Sequence, residues 1–225
     1  MFEAVILAGG QGSRLKSVSG PIPKPMVEIN GKPFIYRLMQ TLEAQGCSKI
    51  ILSLCYQADY IIDKITADNP VKCNVEFCVE KQPLGTGGAI KLAAKKVDES
   101  KFVVINGDTI CELNYQDLVN FAKNTDLTIS GVRLDDVTRY GTLVVDNEKN
   151  VVELKEKGEI GHGLINSGIY VITTKHVLDF PKDIFSFEHD YVQTFKGTFK
   201  VFETYGYFID IGIPEDYYKA CQEIK

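Results

Sequence analysis

Short apolar runs alternate with segments of helical period through the first half of the chain, and this alternation constrains the fold more than any other feature. Residues 4–8, 49–54, 75–79 and 102–105 each have the length of a buried strand, and three of the four runs are rich in Val and Ile. Between the first two, Phe34, Ile35, Leu38, Met39 and Leu42 fall on one helical stripe, with Pro33 suited to its first turn and Gly46 to its end. A second helix is expected from Thr86, as N-cap, to about Val97, and a third after Asn114. Strand, helix, strand and helix at this spacing require crossover connections. They give a largely parallel sheet with helices packed on it.

The second half has a different rhythm. Residues 128–134, 141–145, 151–154 and 164–172 read as strands that follow one another closely, which extends the sheet in an antiparallel or mixed manner. Helical pieces are expected around 186–195 and 214–224. No internal repeat, low-complexity segment or linker interrupts the 225 residues, so one domain, 1–225, is expected. Apolar residues make up 44% of the chain, enough for a sizeable core, and 24% are charged.

The net charge of −5 excludes a general nucleic-acid binder with a basic face. The stretch 9–32 opposes that balance, holding Arg14, Lys16, Lys24 and Lys32 against Glu28 alone. One basic loop on an acidic chain suits a small anionic ligand rather than a polymer. The N-terminus resembles no targeting signal and no stretch has the length of a membrane span, so a cytoplasmic protein with no membrane partner is expected. The six cysteines form no CxxC pair and read as reduced, partly buried thiols. His162 is expected in an exposed loop, and His176 and His189 carry no signal.

The ligand edge of a parallel sheet lies beyond the carboxyl ends of its strands, and Gly9-Gly10-Gln11-Gly12 follows the first strand directly. Glycines let backbone N–H groups close on an anion. The only Gly-Lys pair is Gly31-Lys32, followed by Pro33, so the loop is no P-loop; Leu15 stands where a dinucleotide fingerprint needs glycine. Arg14 and Lys24, a forked donor and a point charge, point to a polyphosphate.

LAGGQGSRL with the following PKP is similar to the signature of the sugar-1-phosphate nucleotidyltransferases. The likeness continues in order through EKQPLGTGGAI (80–90), INGDT (105–109), RYG (139–141), the EK pair at 156–157, INSGIY (165–170) and FIDIGIPEDY (208–217), covering almost the whole chain. FSFEHD (185–190), with RYG and PLGTGGA, most resembles the guanylyltransferase branch that acts on D-glycero-D-manno-heptose 1-phosphate. One departure is Ile213, where many relatives have a small hydroxyl residue.

The resemblance implies a three-layer α/β/α Rossmann-like fold with a mixed, mainly parallel sheet. Residues 1–125 would form the nucleotide-binding half and 126–225 the sugar-phosphate half, with no C-terminal hexapeptide-repeat domain. It implies a nucleoside triphosphate and a sugar 1-phosphate as partners and leaves room for a homo-oligomer. Leu7, Ala8, Gly9, Gly10, Gly12, Ser13, Glu80, Pro83, Gly85 and Thr86 would bind the nucleotide. Arg14 would face the leaving pyrophosphate and Lys24 the α-phosphate and incoming sugar phosphate. Asp108 and Asp210 would hold Mg²⁺, and Gly141, Glu156, Lys157 and Asn166 would contact the sugar. Glu80 would lie against the base, where a carboxylate can accept both edge donors of guanine, so GTP is favoured over UTP, dTTP and ATP. Alternatives within the same chemistry are mannose 1-phosphate with GTP, glucose 1-phosphate with UTP or dTTP, and phosphocholine with CTP. A non-catalytic nucleotide-sugar sensor would have no need of the paired aspartates.

Overall fold

The computed structural model describes residues 1–224. The four apolar runs form β1 (Phe2–Leu7), β2 (Cys47–Leu54), β3 (Asn74–Val79) and β4 (Lys101–Asn106), with ends displaced by one or two residues. They are parallel and lie in the order β4-β1-β2-β3. Helices α1 (Phe34–Ala44), α2 (Ala58–Ala67) and α3 (Gly85–Ala94) form the crossovers. Strand β5 (Thr109–Cys111) and helix α4 (Tyr115–Phe121) follow, and Asn114 caps α4 by accepting from the backbone N–H groups of Gln116 and Asp117 at 2.9 and 3.1 Å.

Beyond them run β6 (Leu127–Leu134), β7 (Thr142–Val145), β8 (Val151–Lys155) and the long β9 (Gly163–Thr173). β9 is antiparallel to β4, to β6 and, at Ile165, to β7, and so joins the mixed extension to the parallel sheet. β10 (Phe199–Thr204) adds to β6 in parallel and completes nine strands. A separate small sheet pairs β5 with β11 (Phe208–Asp210), and α5 (Pro214–Glu223) ends the described chain.

The period of two along β1 divides the core. Phe2, Ala4 and Ile6 face α1, α2 and α4, whereas Val5 faces α3 and the segment carrying Phe185, Phe187 and Tyr191. This gives three layers. The stripe on α1 is buried throughout, with Phe34, Ile35, Met39 and Leu42 wholly inaccessible. Each such side chain contributes about 1.5–3 kcal/mol from removal of apolar surface from water.

Three local expectations are corrected. Helix α3 begins at Gly85 with Leu84 at its cap position, because the Thr86 hydroxyl is engaged elsewhere, accepting from Phe187 N at 2.8 Å. That helix ends at Ala94, after which Lys96 and Val97 bond back only three residues, to Ala93 and Ala94. The helical piece near 186–195 is a single π turn, Phe187–Tyr191, followed by a short 3₁₀ turn, Val192–Thr194. Unexpected from the sequence are α2, β5, β10 and β11. All six cysteines are free thiols, as expected. No described helix is long and apolar enough to cross a membrane.

Candidate active site

The carboxyl ends of β1, β2, β3 and β4 open onto a cavity of about 710 Å³. Backbone bonds from Ala8 N to Ser53 O (2.8 Å) and from Gly107 N to Leu7 O (2.9 Å) hold its floor together. Gly107 is needed there, since a Cβ would come within 2.5 Å of the Leu7 carbonyl oxygen. Leu7, Ala8, Gly9, Gly10, Lys24, Glu80, Pro83, Gly85, Thr86 and Asp108, all expected from the sequence, line this cavity. Gly12, Ser13 and Arg14 do not, because the chain turns there into the 3₁₀ turn Ser13–Leu15. Gly12 instead backs onto Lys24, whose Cβ would lie 2.8 Å from an added methyl.

A second cavity of about 500 Å³ is lined by Gly141, Glu156, Lys157, Asn166 and Asp210, together with Tyr140, His189 and Phe208. Gly85, Thr86, Asn106 and Glu188 line both cavities, so the two are neighbours along one seam. Most of the expected nucleotide residues therefore line the first space and the expected sugar residues the second, with Gly85 and Thr86 in both and Gly12 and Ser13 in neither.

The small sheet brings the two aspartates together. Asp210 pairs in register with Thr109, next to Asp108, and the Ile211 N–H donates to the Asp108 carbonyl at 2.9 Å. Lys24, almost inaccessible, forms an ion pair with the Asp108 carboxylate. Burial pushes the Asp210 carboxyl pKa up, and the Asp108 charge adds to that effect. Lys24, the Gly212 N–H at 2.7 Å and Arg14 act in the opposite direction. One buried ammonium thus faces two carboxylates. Glu80 is also raised by burial, although Leu84 N donates to its Oε2 at 2.9 Å and favours the charged form.

The sequence assigned nothing to His189, yet it lines the second cavity, and its Nδ1 lies 3.3 Å from Glu156 Oε1. Nor did it single out Ser53, Cys55, Tyr56 and Gln57 in the first cavity. Their place at or just past the β2 carboxyl end was the available signal. Asn166, expected to contact the sugar, has both polar atoms engaged internally: Nδ2 donates to the Tyr170 hydroxyl at 2.7 Å and Oδ1 accepts from Gly168 N at 2.8 Å.

An ion pair outside the cavity flanks the wall at Tyr140. Arg139 grips Asp216 with both terminal nitrogens, and the Tyr140 ring packs edge-on against Phe208, two residues before Asp210. Arg139→Ala should raise KM for the sugar phosphate expected in the second cavity about tenfold, the effect of losing a bidentate charged pair, and change kcat far less. The charge-exchanged double variant Arg139→Asp/Asp216→Arg should recover part of that loss. Steady-state kinetics check both outcomes, and a KM left unchanged by Arg139→Ala would release the loop from this role.

Residues 3–225 match the family model described as nucleotidyl transferase. The chain belongs to that family. Among curated nucleotidyl transferases it is 38% identical, over 100% of this chain and 99% of the relative, to the D-glycero-alpha-D-manno-heptose 1-phosphate guanylyltransferase of Aneurinibacillus thermoaerophilus. It is 39% identical to the enzyme of that name from Campylobacter jejuni, over 96% and 97% of the two chains. The solved structure of HddC from Yersinia pseudotuberculosis is 59% identical over both full chains, with a TM-score of 0.94, and another crystal structure of that protein is a complex with GMP-PN. These likenesses agree with the expected nucleotidyltransferase fold and with the guanylyl branch.

Proposed function

We propose that this nucleotidyl transferase moves GMP from GTP to D-glycero-D-manno-heptose 1-phosphate, giving GDP-heptose and pyrophosphate. The observation that carries this reading is the meeting of the two cavities beside Lys24, Asp108 and Asp210. The likeness to heptose 1-phosphate guanylyltransferases over the full chain supports the choice of substrates. GTP would occupy the first cavity, with its phosphates along Gly9 and Gly10, and the sugar phosphate the second. Residues 1–125 and 126–225 would then act as two halves of one catalytic unit, working in the cytoplasm.

The reaction needs no protein nucleophile. A sugar-phosphate oxygen attacks the α-phosphorus in line and pyrophosphate leaves, so the protein supplies position and charge. Lys24 offsets charge growing at the α-phosphate, and Arg14, outside the cavity lining, faces the departing pyrophosphate. The residues fit Mg²⁺, since two carboxylates outweigh one ammonium and present hard oxygen donors. No described group of three or more His, Cys, Asp or Glu forms a closed metal cage, which leaves ligand positions to phosphate oxygens and water. When bound, the ion would neutralise phosphate charge and orient the triphosphate.

Glu80 is assigned to the base. It lies on the lining directly against the glycine loop, with Oε1 3.2 Å from the position a Gly9 Cβ would take. An ionised carboxylate there can accept from guanine N1 and N2 together, whereas uracil and thymine offer one such donor. Glu80→Gln should erode the preference for GTP by about 1–3 kcal/mol, the range for a hydrogen bond to a charged group. Because burial raises this carboxyl, the preference should also weaken on acidification before an exposed glutamate would protonate. A matrix of GTP, UTP, dTTP, ATP and CTP against heptose, mannose and glucose 1-phosphates and phosphocholine, read by pyrophosphate release, tests the proposal. Preference for UTP or dTTP would overturn the guanylyl assignment, and a sensor would release nothing.

A further inference from the structure

Glu188 stands at the seam of both cavities, on the π turn Phe187–Tyr191. Packing fixes that turn: Phe187 meets Tyr170 edge-on at 4.8 Å and stacks on Tyr191 at 5.2 Å. The carboxylate is then held by two neutral hydroxyls. Thr86 Oγ1 donates to Oε2 at 3.1 Å, and the Tyr170 hydroxyl donates to Oε1 at 3.3 Å.

The direction of the second bond is determined by its neighbours. Gly168 N fixes the Asn166 amide by donating to Oδ1, so Nδ2 points its hydrogen at the Tyr170 oxygen. Tyr170 is wholly buried, and burial beside Glu188 keeps it a neutral phenol. Its single proton is therefore available only to Glu188. A carboxylate accepts about four hydrogen bonds, and two hydroxyls satisfy half of them. No described lysine, arginine or histidine lies within 4 Å to form an ion pair with Glu188. What remains is an acceptor-only group, held by two hydroxyls, that lines both cavities and has lone pairs to spare.

We propose that Glu188 is a specificity-determining residue that accepts two hydroxyl hydrogens of a vicinal diol. An uncharged diol is the ligand group best matched to two adjacent acceptor oxygens; a phosphate would be repelled. Both substrates of the proposed reaction carry such diols, one on the ribose and one on the sugar ring, and the inference rests on that reaction. Asn166 and Tyr170 are positioning residues in this arrangement, acting through Glu188.

The test compares kcat/KM for each substrate with that for its deoxy analogue, in wild type, Glu188→Gln and Tyr170→Phe. One arm uses GTP against 2′-deoxy-GTP and 3′-deoxy-GTP; the other uses the sugar 1-phosphate against its monodeoxy analogues. Wild type should disfavour the relevant analogue about tenfold or more, the effect of a charged hydrogen bond. Glu188→Gln should bring that ratio close to one on the arm whose diol is read, and Tyr170→Phe should move it part-way in the same direction. A ratio unchanged by Glu188→Gln on both arms overturns the proposal even if overall activity falls, because a merely structural role would slow both substrates of each pair alike. If Glu188→Gln does not fold, an unchanged ratio in Tyr170→Phe overturns it instead. Wild-type protein that releases no pyrophosphate from any pair would overturn the transferase reading first, and this inference with it.

Discussion

Asp108→Asn and Asp210→Asn should each lower turnover by about two orders of magnitude or more, the usual loss when a group that stabilises developing charge is removed. The exchange keeps the size and the hydrogen-bonding shape of each side chain. It removes the charge that Lys24 and the proposed Mg²⁺ would balance. The two variants should differ in stability. Asp210 carries a carboxyl raised by burial and by Asp108, so in the metal-free protein its ionised form opposes folding. With the folded value above the unfolded one, stability is greatest at low pH and declines as pH rises across that interval. Asp210→Asn should remove this decline and, in chelator at neutral pH, melt at a higher temperature than wild type. Asp108→Asn loses an ion pair with Lys24 and should show no such gain. Pyrophosphate release and thermal melting with and without Mg²⁺ check both halves. Turnover within a few-fold of wild type in either variant would remove that aspartate from the proposed metal site.

The sequence was most legible where one local pattern determines the structure. The α1 stripe, the Asn114 cap and the four parallel strands all follow from short-range periodicity and capping chemistry. Helix α2 was missed because its buried stripe rests on Ala58, Ile61 and Ile65, too few apolar residues to stand out. β10 breaks the period of two, with Lys200 and Glu203 three residues apart around Val201 and Phe202, and only its parallel pairing with β6 makes it a strand. The three-residue strands β5 and β11 are shorter than any pattern can resolve, yet they bring Asp108 and Asp210 together. The same division applies to the site. Gly9, Gly10, Lys24 and Glu80 were legible because each sits in or beside a strand end or the basic loop. Glu188 and His189, although inside the FSFEHD stretch, had no legible role, since a π turn has no sequence signature and its position comes from aromatic packing distant in the chain.

Lys24→Met should lower kcat/KM by about two to three orders of magnitude, affecting both turnover and the apparent affinity for the sugar phosphate. The effect is expected to be large because the ammonium is both buried and preorganised. Pro23 and Pro25 flank the residue, each fixing its own φ, and Met26 N donates to the Pro23 carbonyl at 2.8 Å across the turn. Gly12 closes against the Lys24 stem on the other side, where a Cβ would have no room. In the proposed reaction, an ammonium held this way would need no reorganisation when charge develops at the α-phosphate. Met fills the same space without charge, so the loss reports electrostatics rather than packing. Removing the cation also leaves Asp108 unpaired beside buried Asp210, so Lys24→Met should melt below wild type in chelator. Millimolar Mg²⁺ should narrow that gap, because the carboxylate pair freed of Lys24 would bind the ion more tightly than in wild type, and an ion bound only by the folded protein stabilises it by mass action. Lys24→Met that retained a tenth or more of wild-type kcat/KM would show that the phosphate charge is met elsewhere. A melting gap insensitive to Mg²⁺ would detach the lysine from the carboxylate pair.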